Sequence, residues 1–153
     1  MESPVPSGQG RHLWFAGNLV TIKAGSGGLP GPTVLEAHLH AGHAPPLHVH
    51  NDEDEAFYLL AGAMRFRNGD EELDLGAGDF LMVRRGTPHA FRVGPDGART
   101  LQLATSGALA GFMEEAGEPA PEPAMPPSTA FDRERVAAVA ERWDMTVVGP
   151  PLS

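Results

Sequence analysis

The chain has 153 residues, enough for one domain with a real core, and 41% of them are apolar, an ordinary share for a globular fold. Its net charge of −9 argues against nucleic acid or an anionic membrane as a partner, since a polyanion would be repelled. The absence of cysteine excludes disulfides, thiolate metal ligation and a cysteine nucleophile together.

The N-terminus lacks the basic start and apolar core of a signal peptide, and no apolar stretch approaches membrane-spanning length, so a cytoplasmic protein is expected. Residues 1–10, rich in Pro, Gly and Ser, predict a mobile or edge-swapping arm. His12 to Phe15 and Asn18 to Lys23 predict a hairpin about Gly17, followed by a Gly-Pro loop from Gly25 to Pro32. Thr33 to His40 alternates, with Leu35, Ala37 and Leu39 on one face and Glu36, His38 and His40 on the other, as in a half-buried strand. His38 and His40 belong to its polar face, and His12 and His43 stand in no pattern that assigns them a role.

The stretch from Gly42 to Gly62 carries the densest chemistry. His48 and His50 are one residue apart, so an extended segment aims both imidazoles the same way and makes a chelate. Asn51-Asp52-Glu53-Asp54 reads as a turn, after which Glu55 opens a returning strand and brings its carboxylate beside them. His89 follows the Gly86-Thr87-Pro88 break at the start of a strand with Phe91 and Val93. Three neutral nitrogens and one carboxylate suit a divalent transition metal, with Fe, Mn, Co, Ni, Cu and Zn all compatible.

Short strands then alternate with turns. Asn68-Gly69 marks a hairpin between Ala63–Arg67 and Glu71–Leu75, with Met64 and Phe66 on one face and Arg65 and Arg67 on the other. Gly76 to Asp79 turns the chain into Phe80–Val83, Gly94-Pro95-Asp96-Gly97 closes the strand after His89, and Thr100 to Ala104 forms a further strand. This spacing predicts an all-β sandwich or small barrel. From Glu114 to Ser128 the prolines favour an extended connection. Thr129 and Asp132 can cap a helix from Phe131 to Trp143 whose stripe is Val136, Val139, Ala140 and Trp143, with an edge strand at Met145 to Val148. One domain results, made of an arm and first strands (1–32), a barrel core (33–113), a Pro-rich connection (114–130) and a C-terminal helix and edge strand (131–153).

These motifs resemble those of the cupins, small jelly-roll barrels with a double-stranded β-helix and two conserved motifs on facing strands. Gly42, His48, His50, Glu55 and Gly62 fit every position of the first motif. Gly78, Gly86 and His89 fit the second, whereas Arg84 and Val93 stand where the family has Pro and Asn. The resemblance implies His48, His50, Glu55 and His89 as metal ligands and a homodimer, and the tail from Ala108 onward is similar to that of quercetin dioxygenase-like bacterial cupins. It implies a dioxygenase in which Glu55 is also the catalytic base, acting on a small aromatic or enolic substrate such as a flavonol or diketone. By strand alternation Phe57 and Leu59 share the face of Glu55, and Phe91 and Val93 that of His89, so these four would line the substrate pocket. Two other classes remain open: a sugar isomerase or epimerase using Arg65, Arg67, Arg84 or Arg85 for phosphate, and a non-catalytic metal- or ligand-binding barrel.

Overall fold

The structure, a computed structural model, describes residues 2–28 and 30–153; Met1 of the expected arm and Leu29 of the expected loop lie outside the described residues. Among the described residues ten strands, a 3₁₀ turn (Ser26–Gly28) and two α-helices follow one another along the chain. β1 (Arg11–Phe15) and β2 (Asn18–Ala24) form the expected hairpin, and β2 pairs with β3 (Thr33–Leu39), whose Leu35, Ala37 and Leu39 are buried as the alternation requires.

Two long strands, β5 (Glu55–Asn68) and β8 (His89–Ala104), organise the barrel. The first half of β5 pairs with the last half of β8 and with β7 (Phe80–Val83), while its last half pairs with the first half of β8 and with β6 (Glu71–Gly76). Each long strand therefore serves two sheets. One sheet contains β1, β2, β3 and β7; the other contains β4 (Pro46–His50) and β6. Phe57, Phe66, Leu35 and Val83 fill the space between them, each at most 2% exposed. This is a jelly-roll barrel.

The bends of the long strands correct one expectation. Gly94 to Gly97 does not end a strand, nor does Ala61-Gly62; both lie within continuous strands where the ladder is irregular, between Leu59 and Met64 on β5. Pro95 is tolerated because no ladder partner is assigned to it there. Gly62 has φ +87° and an added Cβ would strike the Gly97 carbonyl oxygen, so the corner requires glycine.

The C-terminal third departs further. A helix that the sequence does not announce, α1 (Ala108–Ala116), precedes the connection and buries Leu109, Ala110, Phe112 and Met113. The extended segment thus starts after Gly117, with β9 (Glu118–Pro119) pairing to β1. α2 (Arg133–Arg142) begins at Asp132, whose carboxylate accepts from the Arg135 N–H at 3.0 Å. Its stripe packs inward, with Val139 and Ala140 buried and Val136 and Trp143 half-buried against the same core. The helix covers its own barrel. β10 (Met145–Pro151) then pairs with β4 as an edge strand, running past Gly149 where an end was expected. Among the described residues no helix is long and apolar enough to cross a membrane.

Candidate metal centre

β4 is short, extended and held on both sides, by β10 and by β8. Alternation turns His48 and His50 to one face, and the register places His48 directly across from His89 at the start of β8. The three rings have centroids 4.3 to 5.2 Å apart, and one nitrogen from each lies within 4.8 Å of the others. These residues can hold a metal ion.

Their second nitrogens explain the orientation. Nδ1 of His48 lies 2.7 Å from the Pro46 carbonyl oxygen, and Nδ1 of His89 2.9 Å from that of Thr87. A carbonyl only accepts, so both rings carry the proton on Nδ1 and present a bare Nε2. His50 Nδ1 faces the Glu53 carboxylate at 3.0 Å, and the Ser106 hydroxyl donates to the other Glu53 oxygen. All three imidazoles are thus locked from behind by acceptors, the usual arrangement behind ligating histidines. His89 Nε2 is buried without a hydrogen-bond partner, a cost that an ion would remove. The donor set fits a divalent transition metal.

Glu55 stands beside the cluster, 4% exposed, with one oxygen 3.2 Å from His50 Nε2 and the other 3.9 Å from His89 Nε2. Burial pushes its carboxyl up, opposed by His50 and helped by Glu53. Burial likewise lowers His48 to about 4, with help from His50, and lowers His89 to about 3, with help from His48 and His50. His50 moves the other way. Burial is its largest single influence and acts downward, but the Glu55 and Glu53 carboxylates together outweigh it and the net shift is up.

His48, His50 and Glu55, though not His89, line a cavity of about 350 Å³, a volume within the usual range for small-molecule sites. Phe57 and Phe91 line it. Leu59 and Val93 do not: they lie one strand repeat further from the cluster, 1% and 2% exposed, and serve the core. Leu109, Phe112 and Met113 of α1 and Val136, Ala137 and Ala140 of α2 supply much of the remaining wall, which only tertiary docking could reveal. His43 and Gln102 also face it, and neither is marked by motif spacing. Arg65, Arg67, Arg84 and Arg85 are not on the wall. Arg65 pairs outside with Glu72 and Asp74, Arg84 and Arg85 pair with Asp54, and Arg67 donates to the Gly69 carbonyl.

Residues 35–101 match the family described as Cupin domain. The chain is 30% identical over 144 residues to quercetin 2,3-dioxygenase of Bacillus subtilis, a match covering 91% of this chain but only 42% of that protein. Among solved structures, KdgF from a Halomonas species superposes with a TM-score of 0.53 at 20% identity, covering 58% of this chain and 78% of that one. The DMSP lyase DddQ of Ruegeria pomeroyi superposes with a TM-score of 0.51 at 27% identity over 57% of this chain and 46% of that one. The matched segment, the jelly-roll barrel and the histidines from its facing strands agree, and residues 35–101 form a cupin domain.

Proposed function

We propose that this chain is a metal-dependent cupin oxygenase acting on a small, flat, enolic or aromatic molecule of the flavonol or diketone kind. The observation that carries the reading is the cluster of three imidazoles, one nitrogen of each within 4.8 Å of the others and Glu55 3.2 Å from His50 Nε2, beside a mainly apolar cavity lined by His48, His50, Glu55, Phe57 and Phe91. His48, His50, His89 and Glu55 would hold the ion, and when bound it supplies Lewis acidity toward a substrate oxygen together with open coordination positions. Glu55 is the group we assign to take the hydroxyl proton of the enol or phenol. Its buried carboxyl, raised above the ordinary range, is a better-matched base than an exposed glutamate. Phe57 and Phe91, with ring centroids 5.9 Å apart, orient a flat guest and exclude water from the proton-transfer end. The likeness to quercetin 2,3-dioxygenase over most of this chain supports the same class of substrate. Of the arginines, Arg65, Arg67, Arg84 and Arg85 lie outside the cavity and cannot serve a sugar phosphate there, while Arg133 of α2 is on its wall beside Glu134.

The test is elemental analysis of protein purified without a His-tag, then an oxygen-electrode trace with reconstituted metal and a panel of flavonols and 1,3-diketones. Near-stoichiometric metal and substrate-dependent oxygen uptake are expected. Metal without uptake across the panel would overturn the oxygenase reading and leave a ligand-binding barrel.

A further inference from the structure

The cavity contains polar groups that the metal cluster does not use. His43 is 7% exposed and shares the cavity wall with His48, His50 and Glu55. Its backbone is clamped to β8: the Gly42 N–H donates to the Val93 carbonyl at 3.1 Å, and the Val93 N–H donates to the His43 carbonyl at 2.9 Å. Its ring is held edge-on by His40 at 5.1 Å and by Phe91 at 5.8 Å. His12, His40, His48, His50 and His89 each have an engaged Nδ1, whereas no hydrogen bond among the described residues uses either ring nitrogen of His43.

Gln102 is the second such group. Its Nε2 donates to the Thr100 hydroxyl at 3.2 Å, which leaves its carbonyl oxygen unspent. In register it faces Phe57 on β5, one strand repeat from the Glu55–Ala104 pair. His43 sits against Phe91, one repeat from His89. Both groups therefore belong to the aromatic layer next to the metal cluster, at a different depth from it. Burial, then His40 and Arg133, lowers His43 to about 3, so near neutral pH it offers one N–H donor and one bare nitrogen. Neither group has an atom among the fully buried unpartnered ones, so the free nitrogens of His43 and the Gln102 oxygen reach the open space of the cavity, where an oxygen of a guest can replace water on them.

We propose that His43, assisted by Gln102, is a substrate-binding residue that hydrogen-bonds an oxygen of the guest remote from the one at the metal cluster. The favoured guests then carry two oxygen functions separated by one flat apolar body, and analogues lacking the distal oxygen are rejected. The assignment rests on the oxygenase reading of this cavity, and the two can fail separately.

The probes are quercetin, which carries hydroxyls beyond its enol-ketone pair, and 3-hydroxyflavone, which has that pair alone. Each is titrated anaerobically by calorimetry into protein of measured metal content. The wild type is expected to prefer quercetin on the order of tenfold. His43→Phe, which keeps a ring in place, should abolish that preference while metal content stays as in the wild type, and His43→Gln should restore part of it. An undiminished preference in His43→Phe overturns the role of His43 alone, and failure of the wild type to bind either flavonol overturns the flavonol form of the proposed function and the role of His43 with it. Should His43→Phe not fold, His43→Ala carries the same test, loss of the preference supporting the role and its retention overturning it.

Discussion

Of the three clustered imidazoles, His48 and His89 are lowered to about 4 and 3, while His50 between Glu53 and Glu55 is raised. Only neutral imidazole binds a metal, so the imidazole proton that competes with the ion in weak acid is the one on His50. Metal affinity should therefore fall roughly ten- to a hundredfold per pH unit, for the protons of His50 and of the likewise raised Glu55, rather than by the higher power that protons on all three imidazoles as well would require. A metal-buffered titration between pH 5 and 8 reads that slope, and a slope near three would contradict the assignment. Glu53→Ala removes the acceptor behind His50 and should weaken metal binding about 10- to 100-fold with the fold retained. His50→Ala and His89→Ala are expected to lose the metal and keep the far-ultraviolet circular dichroism of the barrel; unfolding of both would make the site a structural one. The side chains we propose as ligands were legible because a chelate fixes spacing: one residue between His48 and His50, and a turn before Glu55. His43 was not, since its place depends on two backbone bonds to Val93, fifty residues away along the chain.

Among the elements, hairpins and strands declared themselves through local chemistry, though the Asn68-Gly69 hairpin turns one residue later than expected: Asn68 pairs with Glu71, so the turn is Gly69-Asp70, and of these two only Gly69 has positive φ, +63°. α1 did not. It has no side-chain cap at Gly107 and a glycine at position 111, and it is helical because four of its apolar side chains dock on the barrel. Gly111 itself is required by that docking, since a Cβ there would strike the Trp143 ring. The long strands hid for a related reason: glycine and proline at 61–62 and 94–97 look like ends, yet here they turn a strand from one sheet into the next. Gly62→Ala tests that corner. With φ +87° and the Gly97 carbonyl in its way, the variant should lose about 2 kcal/mol or more in urea unfolding. Asp132→Ala, which uncaps α2, should lose about 1 kcal/mol without changing metal content.

For the whole molecule, the sequence pointed to a barrel but left open what the C-terminal stripe would cover, because an apolar helix face does not name its partner. In the structure it closes the cavity of its own chain. A homodimer, as the family resemblance implies, would then use another surface. β7 is paired on one side only and carries Phe80, 57% exposed, opposite Tyr58 at 40%. We expect a homodimer through this edge, seen as a dimer in sedimentation at micromolar concentration and shifted toward monomer by Phe80→Lys; a monomeric wild type would dispose of the idea. The pairing of β10 with β4 has a consequence for synthesis. The strand bearing His48 and His50 leaves the ribosome early, but residues 145–151, which cover its outer edge, are made only after the rest of the barrel. Until then a nascent chain exposes an open strand edge and an unroofed apolar hollow, so the interval before residue 145 emerges is when this protein most needs a chaperone.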